Sequence, residues 1–304
     1  MKKHLLLAVV DLGSNSFRLE SGFFVGNDFH STAYVKQNLR LGASLEPERG
    51  LSAEAMQQGW DCLRDFGVRL RSLGVDRACA VATQTLREAS NGQIFIDRGS
   101  ELLGVPIQLI SGEQEADFIY LGVVAQLPAG SQRRLVMDLG GRSTELALGQ
   151  GLQAHTLASY PLGSVVWTAR FFADGRLTAP AFERAYQAAC AVLQPAAARF
   201  IPNTWDCAYA SAGTASAVRD VLEAHHRPAD VITRQDVLWL QEQLLRCEHI
   251  HNLVLPGLRA DRAPVVAGGL SVLLAVFDTL GLEAMLPAQG ALRLGVLHGL
   301  QQQA

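Results

Sequence analysis

The sequence predicts an α/β fold built twice. Three observations carry this: a motif that recurs about one domain length apart, short apolar strands alternating with amphipathic helices, and a composition able to fill two cores. The motif runs Val9-Val10-Asp11-Leu12-Gly13-Ser14-Asn15-Ser16-Phe17-Arg18-Leu19 and returns as Val136-Met137-Asp138-Leu139-Gly140-Gly141-Arg142-Ser143-Thr144-Glu145-Leu146, so both copies read D-L-G-x-x-S-x-x-L. Their separation is too long for a solenoid period and suits a duplicated domain. At 304 residues the chain exceeds what one core usually supports, and 49% hydrophobic against 18% charged residues excludes intrinsic disorder.

Each copy opens with an apolar strand that ends in an acid, turns through glycine and small hydroxyl residues, and resumes as a second apolar run, Leu19 to Val25 and Glu145 to Leu148. That is a β-hairpin with a polar tip. Between the copies, Ser52 caps a helix whose apolar positions Met56, Trp60, Leu63, Gly67, Leu70 and Leu73 step by three and four. Ala78 to Thr83 and Ile107 to Ile110 read as short buried strands. Ser111-Gly112-Glu113-Gln114 is an S-x-x-Q capping box opening a helix through Ala116, Ile119, Tyr120, Val123 and Val124. The first domain therefore spans residues 1–125 and the second 126–304. The second copy continues into a strand at 152–157 and helices near 179–200, 234–246, 265–280 and 289–301. A strand at 207–210 leads into Ser211-Ala212-Gly213-Thr214.

With 26 Lys+Arg against 29 Asp+Glu the net charge is −3, so no global basic field exists to hold nucleic acid. Five scattered cysteines without a C-x-x-C spacing exclude a zinc ribbon and a disulfide framework, and point to reduced thiols in a cytoplasm. Lys2 and Lys3 followed by Leu5 to Val10 imitate a signal peptide, but Asp11 ends the run too early. The apolar stretch Ala263 to Phe277 is closed by Asp278 and reads as a buried helix, with no membrane partner expected.

Glycine turns after a strand let backbone N–H groups approach a phosphate, and small hydroxyls add donors. Gly13, Ser14, Asn15 and Ser16, with Gly140, Gly141, Arg142 and Ser143, have that composition, and in each loop an acid precedes, placed to hold Mg²⁺ or a water. Taken alone, one such loop is an ordinary hairpin turn; the duplication favours the binding role. Phosphoanhydride hydrolysis also needs a carboxylate to orient or deprotonate water. Glu115 and Glu145 are the candidates, although acids in a first helical turn, such as Glu113 and Glu115, are also common for dipole reasons. Glu145 inside an apolar strand is costly unless it serves a metal, a water or an ion pair. Arg87, after a strand end, has the fork that grips phosphate, with Arg18 and Arg142 as further anion contacts. His225-His226 and His249-x-His251 lack a metal-specifying spacing. No G-x-S-x-G, Walker A or G-x-G-x-x-G motif is present.

Asp11-Leu12-Gly13-Ser14-Asn15-Ser16, Thr85-Leu86-Arg87-Glu88-Ala89-Ser90-Asn91, Ile110-Ser111-Gly112-Glu113-Gln114-Glu115-Ala116, the second D-L-G loop, Leu255-Pro256-Gly257-Leu258-Arg259-Ala260-Asp261-Arg262 and Gly290-Ala291-Leu292-Arg293-Leu294-Gly295-Val296-Leu297 occur in the order seen in one family. The chain resembles the exopolyphosphatase/guanosine pentaphosphate phosphatase family over nearly its whole length. The resemblance implies a duplicated actin-like (ASKHA, ribonuclease H-like) fold of two domains with an interdomain cleft. It implies Glu115 as the catalytic glutamate that activates water, Asp138 and Glu145 as acids serving the metal and water, and a divalent cation, Mg²⁺ in the leading case; Asp11, the acid before the first loop, is a further candidate ligand from its position alone. Gly13 to Ser16, Arg87 and Gly140 to Ser143 match its phosphate-binding segments. Inorganic polyphosphate is the leading substrate on this reading and guanosine pentaphosphate the alternative, and a catalytically weak phosphate or nucleotide sensor is the reading from another class. A homodimer is implied by the resemblance alone. Longer members carry a further helical region, so the chain resembles the short, two-domain form.

Two departures carry expectations. Arg142 stands where the family has a third glycine, which would strain the backbone if that position had positive φ. Gln114 replaces a glutamate, and the capping box accounts for it.

Overall fold

Each copy of the repeated motif opens a sheet, and the two sheets share one plan. The computed structural model describes residues 4–46 and 50–302 and divides into two units. Lys2 and Lys3 lie outside the described residues.

In the first unit, β1 (Leu7–Leu12), β2 (Phe17–Val25) and β3 (Asp28–Gln37) form an antiparallel meander. The two-residue strands β4 (Leu45–Glu46) and β5 (Gly50–Leu51) pair with each other. Then follow α1 (Ala53–Leu73), β6 (Arg77–Ala82), α2 (Gln84–Glu88), α3 (Gly92–Leu103), β7 (Ile107–Leu109) and α4 (Gly112–Val124). The sheet order is β3-β2-β1-β6-β7, with β6 parallel to β1 and β7 parallel to β6. Every residue of β1 is buried because its two faces meet different cores. Ala8, Val10 and Leu12 pack with Leu63, Phe66 and Phe95 of α1 and α3, while Leu7 and Val9 point to the other side. Ser52 caps α1 as its sequence predicts, accepting from the Ala55 amide at 3.2 Å.

In the second unit, β8 (Arg133–Leu139), β9 (Thr144–Gln150) and β10 (Gln153–Tyr160) repeat the meander. α5 (Ser164–Phe171), α6 (Ala179–Arg199), β11 (Cys207–Ser211), α7 (Ala212–Ala224), β12 (Ile232–Thr233), α8 (Arg234–Cys247), α9 (Val266–Leu280) and β13 (Ala284–Pro287) complete it. The order β10-β9-β8-β11-β13-β12 reproduces the first sheet strand for strand and adds β12 at the edge. This is the duplicated α/β arrangement that the repeat predicts, and it agrees with the ribonuclease H-like fold that the resemblance implies. Ala263–Leu280 is long and apolar enough to cross a membrane by length and composition, but 72% of it is buried inside the protein as a core helix.

Tyr186 of α6, Arg234 of α8 and Asp278 of α9 tie three helices together. Arg234 donates to Asp278 at 2.5 and 3.0 Å and the Tyr186 hydroxyl donates at 2.8 Å. The Arg234 hydrogen bonds, aided by that of Tyr186, hold the Asp278 carboxyl below its ordinary range despite partial burial. A lowered folded-state value contributes stability above the unfolded pKa of about 3.9, lost as pH falls through the folded value. Asp278→Asn is therefore expected to cost at most ~1 kcal/mol at neutral pH, since Arg234 is partly exposed, and to flatten the acid limb of thermal midpoint against pH below about pH 4. A limb of unchanged steepness would remove this pair from the acid response.

The domain boundary requires one correction. The units are Met1–Pro128 with Gly290–Ala304, and Ala129–Gln289, so the last helix, α10 (Ala291–Gln302), belongs to the first unit rather than to residues 126–304. Glycine explains it. A Cβ on Gly295 would stand 1.8 Å from the Phe118 carbonyl oxygen, and one on Gly122 1.9 Å from that of Ala291, so α4 and α10 meet backbone to backbone. Leu294, Val296 and Leu297 then cover Leu7, Val9 and Ile110.

All five cysteines are free. Burial, with the nearby Asp65 charge, pushes the Cys62 thiol up to about 12, and burial raises Cys79. These are packing groups rather than nucleophiles.

Candidate functional site

The tips of the two hairpins are built alike. In the first loop the Ser14 and Asn15 carbonyls accept from the Gly42 and Arg40 amides at 2.7 and 2.9 Å. In the second the Gly140 and Gly141 carbonyls accept from Ser164 and Val165 at 3.0 and 2.9 Å. In a trans peptide the N–H points opposite to the C=O, so pinning these carbonyls turns the amides of Asn15, Ser16, Gly141 and Arg142 to the other side of each loop. Added Cβ atoms on Gly13 and Gly140 would each lie 3.2 Å from the carbonyl oxygen three residues on, Ser16 and Ser143. Ser16 Oγ is buried without a hydrogen-bond partner. An orphaned hydroxyl costs about 1–3 kcal/mol, which suits a loop whose acceptor arrives with a ligand.

No residue of either loop has positive φ. The strain expected at Arg142 is therefore absent, and with it the objection to a side chain in place of the third glycine. Gly163 matters more. Its added Cβ would stand 2.2 Å from the Arg142 nitrogen and the Gly141 carbonyl carbon, so only glycine lets α5 begin against the loop. Gly163→Ala is expected to misplace the loop and weaken its binding of orthophosphate about tenfold, with a lowered thermal midpoint. Unchanged binding by calorimetric titration would show the loop to be passive.

Behind the second loop lies a row across four strands. Asp138 stands directly opposite Glu145, Ser211 pairs in register with Asp138, and Ser159 with Glu145. The Ser211 hydroxyl donates to Asp138 Oδ1, and Ser159 Oγ donates to Glu145 Oε1 at 2.8 Å. Asp138 and Glu145 thus bring two carboxylates to opposed register positions, Glu145 almost wholly buried. Mg²⁺ takes one or two carboxylates and fills its remaining positions with water and phosphate oxygens, so the pair fits it. Among the described residues no three His, Cys, Asp or Glu side chains are grouped to hold a metal.

The first copy differs at this point. Opposite Asp11 stands Arg18, in the register position that Glu145 occupies in the second copy. Arg18 Nη1 lies 3.2 Å from Asp11 Oδ2, and Arg293 Nη1 3.9 Å from the same oxygen. Asp11 is thus a partner of arginines, and the expectation that it ligates metal does not fit its surroundings.

Glu115, in the first turn of α4, is buried. Arg87 Nη1 donates to Glu115 Oε2 at 2.9 Å and to the Ile110 carbonyl at 2.7 Å, while Nε and Nη2 donate to Gln84 Oε1 at 3.1 and 2.6 Å. The arginine assigned to phosphate here orients Glu115 and offsets its buried charge. The capping box forms as expected, Ser111 Oγ accepting from Gln114 N at 3.1 Å and Gln114 Oε1 from Ser111 N at 2.8 Å.

His225 and His249 are occupied structurally. His249 Nδ1 accepts from the His251 amide at 3.1 Å and its Nε2 lies 3.1 Å from the Asp174 carbonyl. His225 Nδ1 lies 2.8 Å from the Val221 carbonyl. Ser159 and Gly163 escaped the sequence reading, because only strand register and loop packing reveal their roles. Ser211 drew notice as part of a turn, but Ala212, at φ 68°, shows the strain that starts α7 there.

The model of the Ppx/GppA phosphatase family matches residues 22–304. The chain belongs to that family. Among relatives of this Ppx/GppA chain, the guanosine-5'-triphosphate,3'-diphosphate pyrophosphatase of Vibrio parahaemolyticus is 40% identical over 293 residues, 96% of this chain and 59% of that one. That of Vibrio vulnificus is 40% identical over 298 residues, 98% and 60%. The chain thus spans about three-fifths of the length of these curated relatives. In fold, it matches the crystal structure of the Aquifex aeolicus Ppx/GppA family member with a TM-score of 0.79 at 22% identity, over 99% of this chain and 100% of that one. An exopolyphosphatase from Cytophaga hutchinsonii gives 0.87 at 23% identity, over 98% of each chain.

Proposed function

We propose that this Ppx/GppA chain hydrolyses the terminal 5'-phosphoanhydride of guanosine pentaphosphate, releasing orthophosphate. The observation that carries the substrate is the 40% identity, over nearly the whole chain, to relatives named for guanosine-5'-triphosphate,3'-diphosphate. This reverses the order of substrates that the motifs alone suggest, which put inorganic polyphosphate first.

The chemistry rests on the chain's own groups. Glu115, oriented by Arg87, accepts a proton from the attacking water. The water oxygen bonds to the terminal phosphorus as the anhydride bond breaks, and the leaving oxygen departs with the nucleotide. Amides of the 13–16 loop in the first unit receive phosphate oxygens, where charge is spread in the transition state, and the 140–143 loop of the second unit has the same capacity. Asp138 and Glu145 would hold Mg²⁺, which supplies charge neutralisation when bound. A cytoplasmic location suits such a substrate and the reduced thiols.

The test is orthophosphate release by the purified chain with Mg²⁺ on guanosine pentaphosphate, short polyphosphate and long polyphosphate in parallel. Highest kcat/KM on the nucleotide supports the proposal, and preference for polyphosphate restores that substrate. Binding of the nucleotide without release from any of the three would make the chain a sensor.

A further inference from the structure

One face of the first sheet carries a graded row of side chains. Nearest the Gly13–Ser16 loop, Arg18 of β2 stands in register with Lys36 of β3, two cations on one face. Two residues further along, about 7 Å, Glu20 stands opposite Tyr34. Tyr34 is 51% exposed although large and aromatic. Arg293 of α10 fixes this second pair: its Nε donates to Glu20 Oε2 at 2.9 Å, and its guanidinium lies 5.3 Å from the Tyr34 ring centroid. A phosphate loop, followed along one face by a half-exposed aromatic ring and a carboxylate, has the order of groups in a nucleotide's complement.

We propose that Tyr34 and Glu20, steadied by Arg293, form a guanine-binding subsite of this chain. Tyr34 offers its ring for stacking, which every base accepts. Glu20 selects among bases. A carboxylate oxygen that already accepts from Arg293 keeps a lone pair, and its partner oxygen keeps two, so the group can accept the parallel N1–H and N2–H donors of guanine. Adenine presents an acceptor at the corresponding ring nitrogen and leaves the carboxylate unpaired, the kind of mismatch that discriminates strongly. Inorganic polyphosphate has nothing to place there. The inference rests on the nucleotide reading above and assigns it residues outside the phosphate loops.

The experiment compares Tyr34→Ala, Tyr34→Phe and Glu20→Gln for orthophosphate release from guanosine pentaphosphate, its adenosine counterpart and inorganic tripolyphosphate. Tyr34→Ala is expected to raise KM for the guanosine substrate about tenfold, and Tyr34→Phe to stay within about twofold of the parent. Glu20→Gln brings the guanosine and adenosine KM values together, and tripolyphosphate kcat/KM is unchanged by Tyr34→Ala. Equal losses on all three substrates, or none on the guanosine one, would overturn the subsite. If the parent releases phosphate from no substrate, the hydrolase reading fails instead, and calorimetric titration with guanosine tetraphosphate decides the subsite by itself. Weaker binding in Tyr34→Ala than in Tyr34→Phe upholds it, and equal binding removes it.

Discussion

Glu115→Gln is expected to lower kcat for orthophosphate release by about 10²–10⁴-fold while KM changes little. Glutamine keeps the size of the side chain and an oxygen able to accept from Arg87 Nη1, which lies 2.9 Å from Glu115 Oε2. It cannot take a proton from water. Because Glu115 sits on α4 behind an intact Ser111–Gln114 capping box, the helix itself should survive the change. Circular dichroism and thermal midpoint provide that control. A variant retaining more than about a tenth of parental kcat would move the base elsewhere, with Glu145 next in line.

Gly295→Ala is expected to be the most damaging methyl in the molecule. Its Cβ would fall 1.8 Å from the Phe118 carbonyl oxygen, which is backbone on a neighbouring helix and cannot swing aside as a side chain can. α10 must back away from α4, opening the layer formed by Leu294, Val296 and Leu297 over Leu7 and Val9. Overpacking of this kind costs about 3 kcal/mol, or roughly 6–12 °C in thermal midpoint for a unit of this size. Hydrogen exchange should show protection lost in β1, α4 and α10 and kept in β8 and α9. Uniform loss across both units would mean that they unfold as one.

Much of the architecture was legible before the structure. The D-L-G repeat announces two equivalent hairpins because each needs an apolar strand, a tight polar turn and a second strand in the same order. Capping chemistry placed the start of α1 at Ser52 and of α4 at Ser111. What stayed hidden has physical reasons. β3 is an edge strand whose residues, from Asp28 to Gln37, are exposed or half-buried, so it lacks the alternation that marks a strand. α10 has an ordinary helical pattern, and nothing in its periodicity states which sheet it will cover. The candidate site divides the same way. Glu115, Asp138 and Glu145 could be named from motif and burial, but the Ser211–Asp138–Glu145–Ser159 row exists only once the strands are in register. Asp11 looked like Asp138 along the chain, and its character changes because Arg18, not a glutamate, stands across from it.

The return of α10 to the first unit has a consequence for biosynthesis. The segment covering Leu7, Val9 and Phe24 is the last described part of the chain to leave the ribosome, more than a whole domain after the strands it protects. The second unit is continuous and can close as soon as it emerges, while the first waits with one face of its sheet bare. Nascent chains halted before Gly290 should therefore hold a protease-resistant second unit beside a cleavable first one, and would be the natural clients of a chaperone that recognises uncovered β-sheet.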